Sequence, residues 1–137
     1  MFKSLFDFSK GEDNSPLVSP VGKVVQKPWG SYTVLRSEGE YVVKELVINP
    51  NQKLSLQRHK HRKEFWTIVS GQGILYFGAA EIDTFEVKKN FNFFIPAMHK
   101  HSVEALGTEP LKIIEVWVGE VLDENDIERF EDKYGRI

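Results

Sequence analysis

The stretch SLQRHKHRKEFWTIVSG, residues 55–71, concentrates the side chains of this chain best suited to hold a metal ion. Successive residues of a strand point to opposite faces, so Ser55, Gln57, His59 and His61 share one face, while Leu54, Leu56, Arg58 and Lys60 take the other. Arg62 and Lys63 read as a turn. Glu64 then opens a second run, FWTIVS, whose aromatic and β-branched content reads as the next strand of a hairpin, which brings the carboxylate beside the imidazoles. Gly71 and Gly73 bracket the turn that follows, where positive φ or close backbone approach is inexpensive. Imidazole nitrogen and carboxylate oxygen suit a divalent transition ion such as Zn, Mn, Fe, Co or Ni. A second cluster, PAMHKH at 96–101, offers a further nitrogen. A single His on a strand is ordinarily a hydrogen-bonded structural residue, but this grouping tips the balance to a metal site.

The elements that must position these donors are strands. Runs such as SYTVLR, YVVKELVI, KLSLQRHKH, EFWTIVS, ILYF, EIDTFEV, NFFI, HSVEAL and LKIIEVWV are separated by Gly, Pro and Asn turns at short, regular spacing, which predicts a sandwich or barrel. At 137 residues the length suits one domain. The net charge of −2 gives no argument for nucleic acid or an anionic membrane surface, and the apolar runs are too short to span a bilayer. With no Cys there is neither a disulfide framework nor a thiolate metal site, and the start lacks the apolar stretch of a signal peptide, so the expected location is the cytoplasm. Residues 1–20 read as a leader or arm, in which Phe2, Leu5, Phe6 and Phe8 form an amphipathic turn or a loosely ordered terminus, and 21–137 as the folded domain. A short helix is predicted to close the chain: Asp123 caps it, Leu122 and Ile127 staple it, Ile127, Phe130 and Tyr134 follow at helical spacing, and Gly135 suits the C′ position.

KPWGSYTVL at 27–35, the 54–73 hairpin, FIPAMHKHSV at 94–103, PLKIIEVWVGEVL at 110–122 and DIERFEDKYGR at 126–136 together resemble the cupin superfamily, and within it the type II phosphomannose isomerases. Those often form the C-terminal half of bifunctional mannose-1-phosphate guanylyltransferase/isomerases, and this sequence resembles that half standing alone. The resemblance implies an all-β fold, a small antiparallel double-stranded β-helix (jelly-roll) barrel, with one divalent metal ion: zinc first, with Mn, Co, Ni or Fe as alternatives. It implies a ligand set of Gln57, His59, Glu64 and His101, with His61 in the pocket or in place of Gln57. His101 falls five residues after Pro96, where the family places its late ligand, whereas His99 does not. The sequence departs from the family at Gln72 for a Thr, at Ala97-Met98 for Leu-Gly, at Glu45 for a basic residue and at Trp117 for a Gln.

The implied activity is interconversion of mannose 6-phosphate and fructose 6-phosphate, for activated-mannose and polysaccharide synthesis. Such a reaction needs a base, an electrophile for oxygen and a grip on phosphate. Arg136, within the family's closing YGR, heads the phosphate candidates, ahead of Lys44, Arg62 and Lys100, because guanidinium offers a planar fork. His61, Glu115 and Lys44 are candidate bases. Trp29 is placed either against the sugar or as a barrel plug, and the abundance of Phe predicts a homodimer. The expected partner is a small sugar phosphate, and the alternatives are another sugar phosphate or nucleotide sugar, or a sugar-binding cupin without turnover.

Overall fold

The computed structural model describes residues 17–137; the amphipathic reading of Phe2, Leu5, Phe6 and Phe8 lies outside them. The strands are β1 (Val24–Lys27), β2 (Gly30–Ser37), β3 (Tyr41–Ile48), β4 (Leu56–Arg58), β5 (Arg62–Ser70), β6 (Gln72–Gly78), β7 (Asp83–Lys88), β8 (Asn92–Ile95), β9 (Lys100–Leu106), β10 (Leu111–Gly119) and β11 (Glu128–Glu131). They form two facing sheets, ordered β1-β2-β3-β10-β5-β8 and β11-β4-β9-β6-β7. Neighbouring strands within each sheet run antiparallel. The β5–β6 turn uses both glycines as expected: Gly71 has φ 88°, and a Cβ on Gly73 would meet the Glu104 carbonyl oxygen at 2.2 Å.

The buried face changes chemistry along the strands. On β3, β10 and β5 the inward residues at one end are aliphatic, with Leu46 opposite Ile113 and Ile113 opposite Ile68. One step further, Glu115 stands between Lys44 and Trp66, and beyond that Trp117 stands opposite Glu64. Alternation on strands buried along one face explains why these polar groups are inside at all: each occupies the same phase as the core residues before it. The aliphatic end supplies the folding core. The polar end is left with charges that must satisfy one another or a ligand.

No helix forms among the described residues, which corrects the reading of the C-terminal stretch. Asp123 Oδ1 accepts the Asn125 N–H at 2.8 Å in a local turn, and the Asp126 carboxylate accepts the Lys60 and His61 N–H groups, both at 2.9 Å. These side-chain bonds compete with helical ones. The residues that follow become β11, pairing β4 with Arg129 opposite Gln57 and Glu128 opposite Arg58. Tertiary pairing overrides a helical periodicity that this short stretch could not sustain alone.

Candidate metal centre and cavity

Where the two sheets meet at their polar ends, His59, Glu64 and His101 offer ligand atoms that all lie within 4.8 Å of one another. They are 3%, 1% and 1% exposed. Each comes from a different place: His59 follows β4, Glu64 is the third residue of β5, and His101 lies on β9 with Phe77 of β6 opposite it. His59 Nδ1 lies 2.7 Å from the Asp126 carbonyl oxygen and His101 Nδ1 lies 3.0 Å from that of His99. A carbonyl only accepts, so both protons sit on Nδ1 and both Nε2 atoms present lone pairs. Those Nε2 atoms are 3.2 Å apart, and His59 Nε2 lies 3.2 Å from Glu64 Oε2.

Burial pushes the His59 imidazole down to about 4, with Glu64 pulling the other way and Arg62 and His101 assisting. Burial likewise lowers His101, so both rings are neutral at pH 7. Burial opposes ionisation of Glu64, but charged His59, then Arg62 and charged His101, lower the carboxyl, and with both rings neutral at pH 7 the Arg62 guanidinium at 2.9 Å keeps it ionised. Two neutral imidazoles and a carboxylate converging without protons between them form a donor set that fits a divalent cation.

Arg62 faces this cluster from β5, not from a turn. Its Nε donates to Glu64 Oε2 at 2.9 Å, its Nη2 lies 3.3 Å from His59 Nε2, and its guanidinium carbon stands 3.5 Å from the Trp117 ring centroid. Nη1 donates to the Asp123 carbonyl at 3.2 Å. The chain bends at Lys60 and His61, and that bend resets the alternation. Arg62 therefore points inward, and His61 is exposed, outside the donor cluster, so its expected place as a ligand or pocket base is corrected. Gln57 stays on the inner face, opposite His101 across β4 and β9, with its Nε2 donating to the Ser55 carbonyl at 3.2 Å.

A cavity of about 250 Å³ opens beside the cluster. Glu64, His101, Gln57 and Arg62 line it together with Trp29, Lys44, Glu115, Trp117 and Arg136. Glu115 Oε1 accepts the Trp117 indole N–H at 2.9 Å and Oε2 accepts that of Trp66 at 2.8 Å. Trp66 Nε1 also reaches Glu64 Oε1 at 3.1 Å, tying the two carboxyl groups together. Burial and then the Glu64 charge push Glu115 up to about 8, against the pull of Lys44, so it keeps its proton at pH 7. Lys44 donates to Glu124 Oε1 at 2.9 Å, with its ammonium 3.9 Å from the Tyr32 ring centroid and 4.2 Å from that of Trp117.

Two expectations shift. Lys100 does not line the cavity: strand alternation puts it opposite in phase to His101, and its ammonium rests 4.2 Å over the Phe130 ring. Arg136 does line it, but Asp132 already holds its guanidinium, with Nε to Oδ2 at 2.7 Å and Nη2 to Oδ1 at 2.9 Å. Glu45 is out of phase with Lys44 and is not among the lining residues, whereas Trp117 is. Lys27, Glu124 and Arg129 also line the cavity and were not singled out from sequence. Arg129 sat inside the stretch read as a helix, and only a strand reading puts it in phase with Gln57.

The sequence model of the family described as Mannose-6-phosphate isomerase C-terminal matches residues 18–132. The alginate biosynthesis protein AlgA of Pseudomonas putida is 42% identical over 112 residues, covering 82% of this chain and 22% of that protein. The mannose-1-phosphate guanylyltransferase ManC of Salmonella typhimurium is 38% identical over 116 residues, covering 82% of this chain and 23% of that protein. The chain thus spans less than a quarter of the length of these relatives. Among solved structures, the capsular polysaccharide assembling protein CapF of Staphylococcus aureus superposes with a TM-score of 0.69 at 25% identity, over 80% of this chain and 34% of that one. A Klebsiella pneumoniae protein with a double-stranded β-helix domain superposes with a TM-score of 0.61 at 19% identity, over 85% and 92%, a likeness of fold alone.

Proposed function

The chain belongs to the Mannose-6-phosphate isomerase C-terminal family, and from that premise we propose that it is a metal-dependent aldose–ketose isomerase acting on mannose 6-phosphate and fructose 6-phosphate. One observation carries the reading: a single cavity is lined by the His101 and Glu64 donors, by a protonated carboxyl at Glu115 and by a group of cations. His59, Glu64 and His101 would hold the ion, with Gln57 adjacent. When bound, a divalent ion supplies polarisation of the sugar's carbonyl and hydroxyl oxygens.

The proton must leave one carbon and return to its neighbour. Of the candidate bases, His61 is exposed, and the Lys44 Nζ is committed to Glu124 between the Tyr32 and Trp117 rings. Glu115 is left as the group at the cavity wall that holds a proton near neutral pH, the condition for a residue that both takes and gives one. Trp66 and Trp117 fix its two oxygens. Arg62 is consumed by the walls of the site and acts as a positioning residue for Glu64. Trp29 forms part of the cavity wall and contributes the apolar surface on which a sugar face can rest.

The exposed pair Phe65 and Phe94, with ring centroids 5.0 Å apart on the outer face of the first sheet, supports the homodimer reading, which sedimentation checks. The function is tested by a coupled assay on chelator-stripped protein before and after adding Zn, Mn, Co or Ni. Metal-restored turnover of mannose 6-phosphate is expected. Turnover confined to a different sugar phosphate would replace the substrate, and tight ligand binding without turnover would replace the enzyme by a binding cupin.

A further inference from the structure

The inner face of the second sheet carries a row that runs away from the metal cluster. His101 on β9 is opposite Gln57 on β4, and Gln57 is opposite Arg129 on β11. Two interstrand spacings of about 4.8 Å put Arg129 roughly 10 Å from His101 along this row. Arg129 Nε is buried and has no hydrogen-bond partner. Among the described residues its guanidinium makes no ion pair within 4 Å, in contrast to Arg136, Lys44 and Arg62, which are held by Asp132, Glu124 and Glu64. Arg129 as a whole is half-buried, but a buried N–H donor left unpaired is costly unless an acceptor arrives to meet it.

Two further cations share this part of the cavity. Lys27 ends β1 and lines the same wall, as does Arg136. Burial, then the charges of Arg136 and Arg129, lower the Lys27 ammonium; burial and Arg136 likewise lower Arg129. These cations are close enough to repel one another, and Asp132 is committed to Arg136. The local excess of positive charge calls for a dianion.

We propose that Arg129, seconded by Lys27 and flanked by Arg136, is the recognition site for the phosphoryl group of the substrate. Its unpaired guanidinium, in register with Gln57 and His101, serves as the primary grip. The inference rests on the sugar-phosphate reading and adds a length requirement. With the ligand cluster at one end of the row and Arg129 roughly 10 Å away by strand spacing, the site selects an extended chain with a phosphate monoester at the end remote from the reacting carbons. A free guanidinium also presents the bidentate geometry that phosphate oxygens accept, which the Asp132-bound Arg136 cannot offer with those same nitrogens.

The test uses the full chain, zinc-loaded, with Arg129→Gln, Arg129→Lys and Lys27→Met. Inorganic phosphate and fructose 6-phosphate are titrated by calorimetry, zinc content is measured, and KM and kcat for mannose 6-phosphate are recorded. Arg129→Gln is expected to weaken binding of both phosphates at least 10-fold and to raise KM, with zinc content unchanged. Arg129→Lys recovers part of the loss, because charge returns without the fork, and Lys27→Met, at the edge of the cavity, gives a smaller loss of the same kind. Phosphate binding that is equally tight in wild type, Arg129→Gln and Lys27→Met overturns the proposal, even if the protein isomerises mannose 6-phosphate. Arg129-dependent phosphate binding without any isomerisation upholds it and removes the isomerase reading instead.

Discussion

The Nε2 atoms of His59 and His101 face each other across 3.2 Å, and neither has a proton to offer the other. Their protons are committed to carbonyl oxygens on the far side of each ring. Arg62 Nη2 reaches one of the two lone pairs, at 3.3 Å from His59 Nε2, which leaves the His101 lone pair and the free side of the Glu64 carboxylate to be met by a cation. The protein is therefore expected to bind one equivalent of zinc, with a rise in stability of about 2.7 kcal/mol when free metal is one hundred times Kd. His101→Ala and Glu64→Gln should abolish that rise, and His61→Ala should keep it. Loss of zinc in His61→Ala with retention in His101→Ala, measured by metal analysis after dialysis, would show that the ligand set is wrong.

With Glu115 proposed as the proton-handling group, Glu115→Gln should cost at least about 10²-fold in kcat for mannose 6-phosphate, within the range for loss of a positioned acid or base. Zinc stoichiometry should hold, because Glu115 lies outside the donor cluster. In wild type the pH–rate profile should carry an ionisation that lies below the metal-free Glu115 value of about 8, because a bound divalent ion offsets the Glu64 charge that helps raise it. A Glu115→Gln variant with wild-type kcat and the same pH profile would move the proton transfer to another residue.

Stability of the metal-free protein should pass through a maximum near pH 6.5. His59 titrates at about 4 when folded and near 6.5 when unfolded, so the unfolded chain binds the extra proton between these values. His101 shifts in the same direction. Both contributions are present above pH 6.5 and are lost as pH falls. Glu115 is opposite in sign: folded it holds its proton up to about 8, unfolded only to about 4.5, so its contribution falls as pH rises through that window. Below pH 6.5 the two histidines outweigh the one glutamate; above it the glutamate acts alone, with a slope of up to about 1.4 kcal/mol per pH unit. Urea titrations of chelator-treated protein from pH 5 to 8.5 measure this, and a monotonic rise across that range would contradict the protonated Glu115. Glu115→Gln should flatten the alkaline limb and steepen the acid one, because the Glu115 window spans both.

The strands were legible in the sequence because burial on one face writes itself as a period of two, whereas the set His59, Glu64 and His101 came from the family resemblance: His99 and His101 share one phase, and only the spacing from Pro96 chose between them. His61 was misread because alternation was carried through Lys60, where the chain bends, so that the inward position passes to Arg62. The C-terminal stretch failed differently. Ile127, Phe130 and Tyr134 fit a helical period, but the Asp126 carboxylate is held by the Lys60 and His61 amides, a contact between distant segments that local pattern cannot show. Misreading that strand also hid Arg129, whose direction depends on pairing with Gln57.

Met98 holds φ at 69°, a left-handed conformation unfavourable for a side chain with a Cβ, while its N–H donates to the His59 carbonyl oxygen at 2.8 Å. The turn is thus kept in a strained form by the bond that anchors the backbone of His59, a candidate metal ligand. Met98 is 41% exposed, so little packing is lost on truncation. Glycine relieves the strain but gives the unfolded chain more freedom, a cost of about 0.5–1 kcal/mol against a relief of about 1–2 kcal/mol. Met98→Gly should therefore stabilise the protein by up to about 1.5 kcal/mol, a melting-temperature gain of up to about 5 °C at this size. Zinc affinity should be unchanged, because the carbonyl of His59, not its ring, is the partner of this turn. A drop in melting temperature in Met98→Gly would mean that the methionine side chain contributes more by packing than its backbone costs.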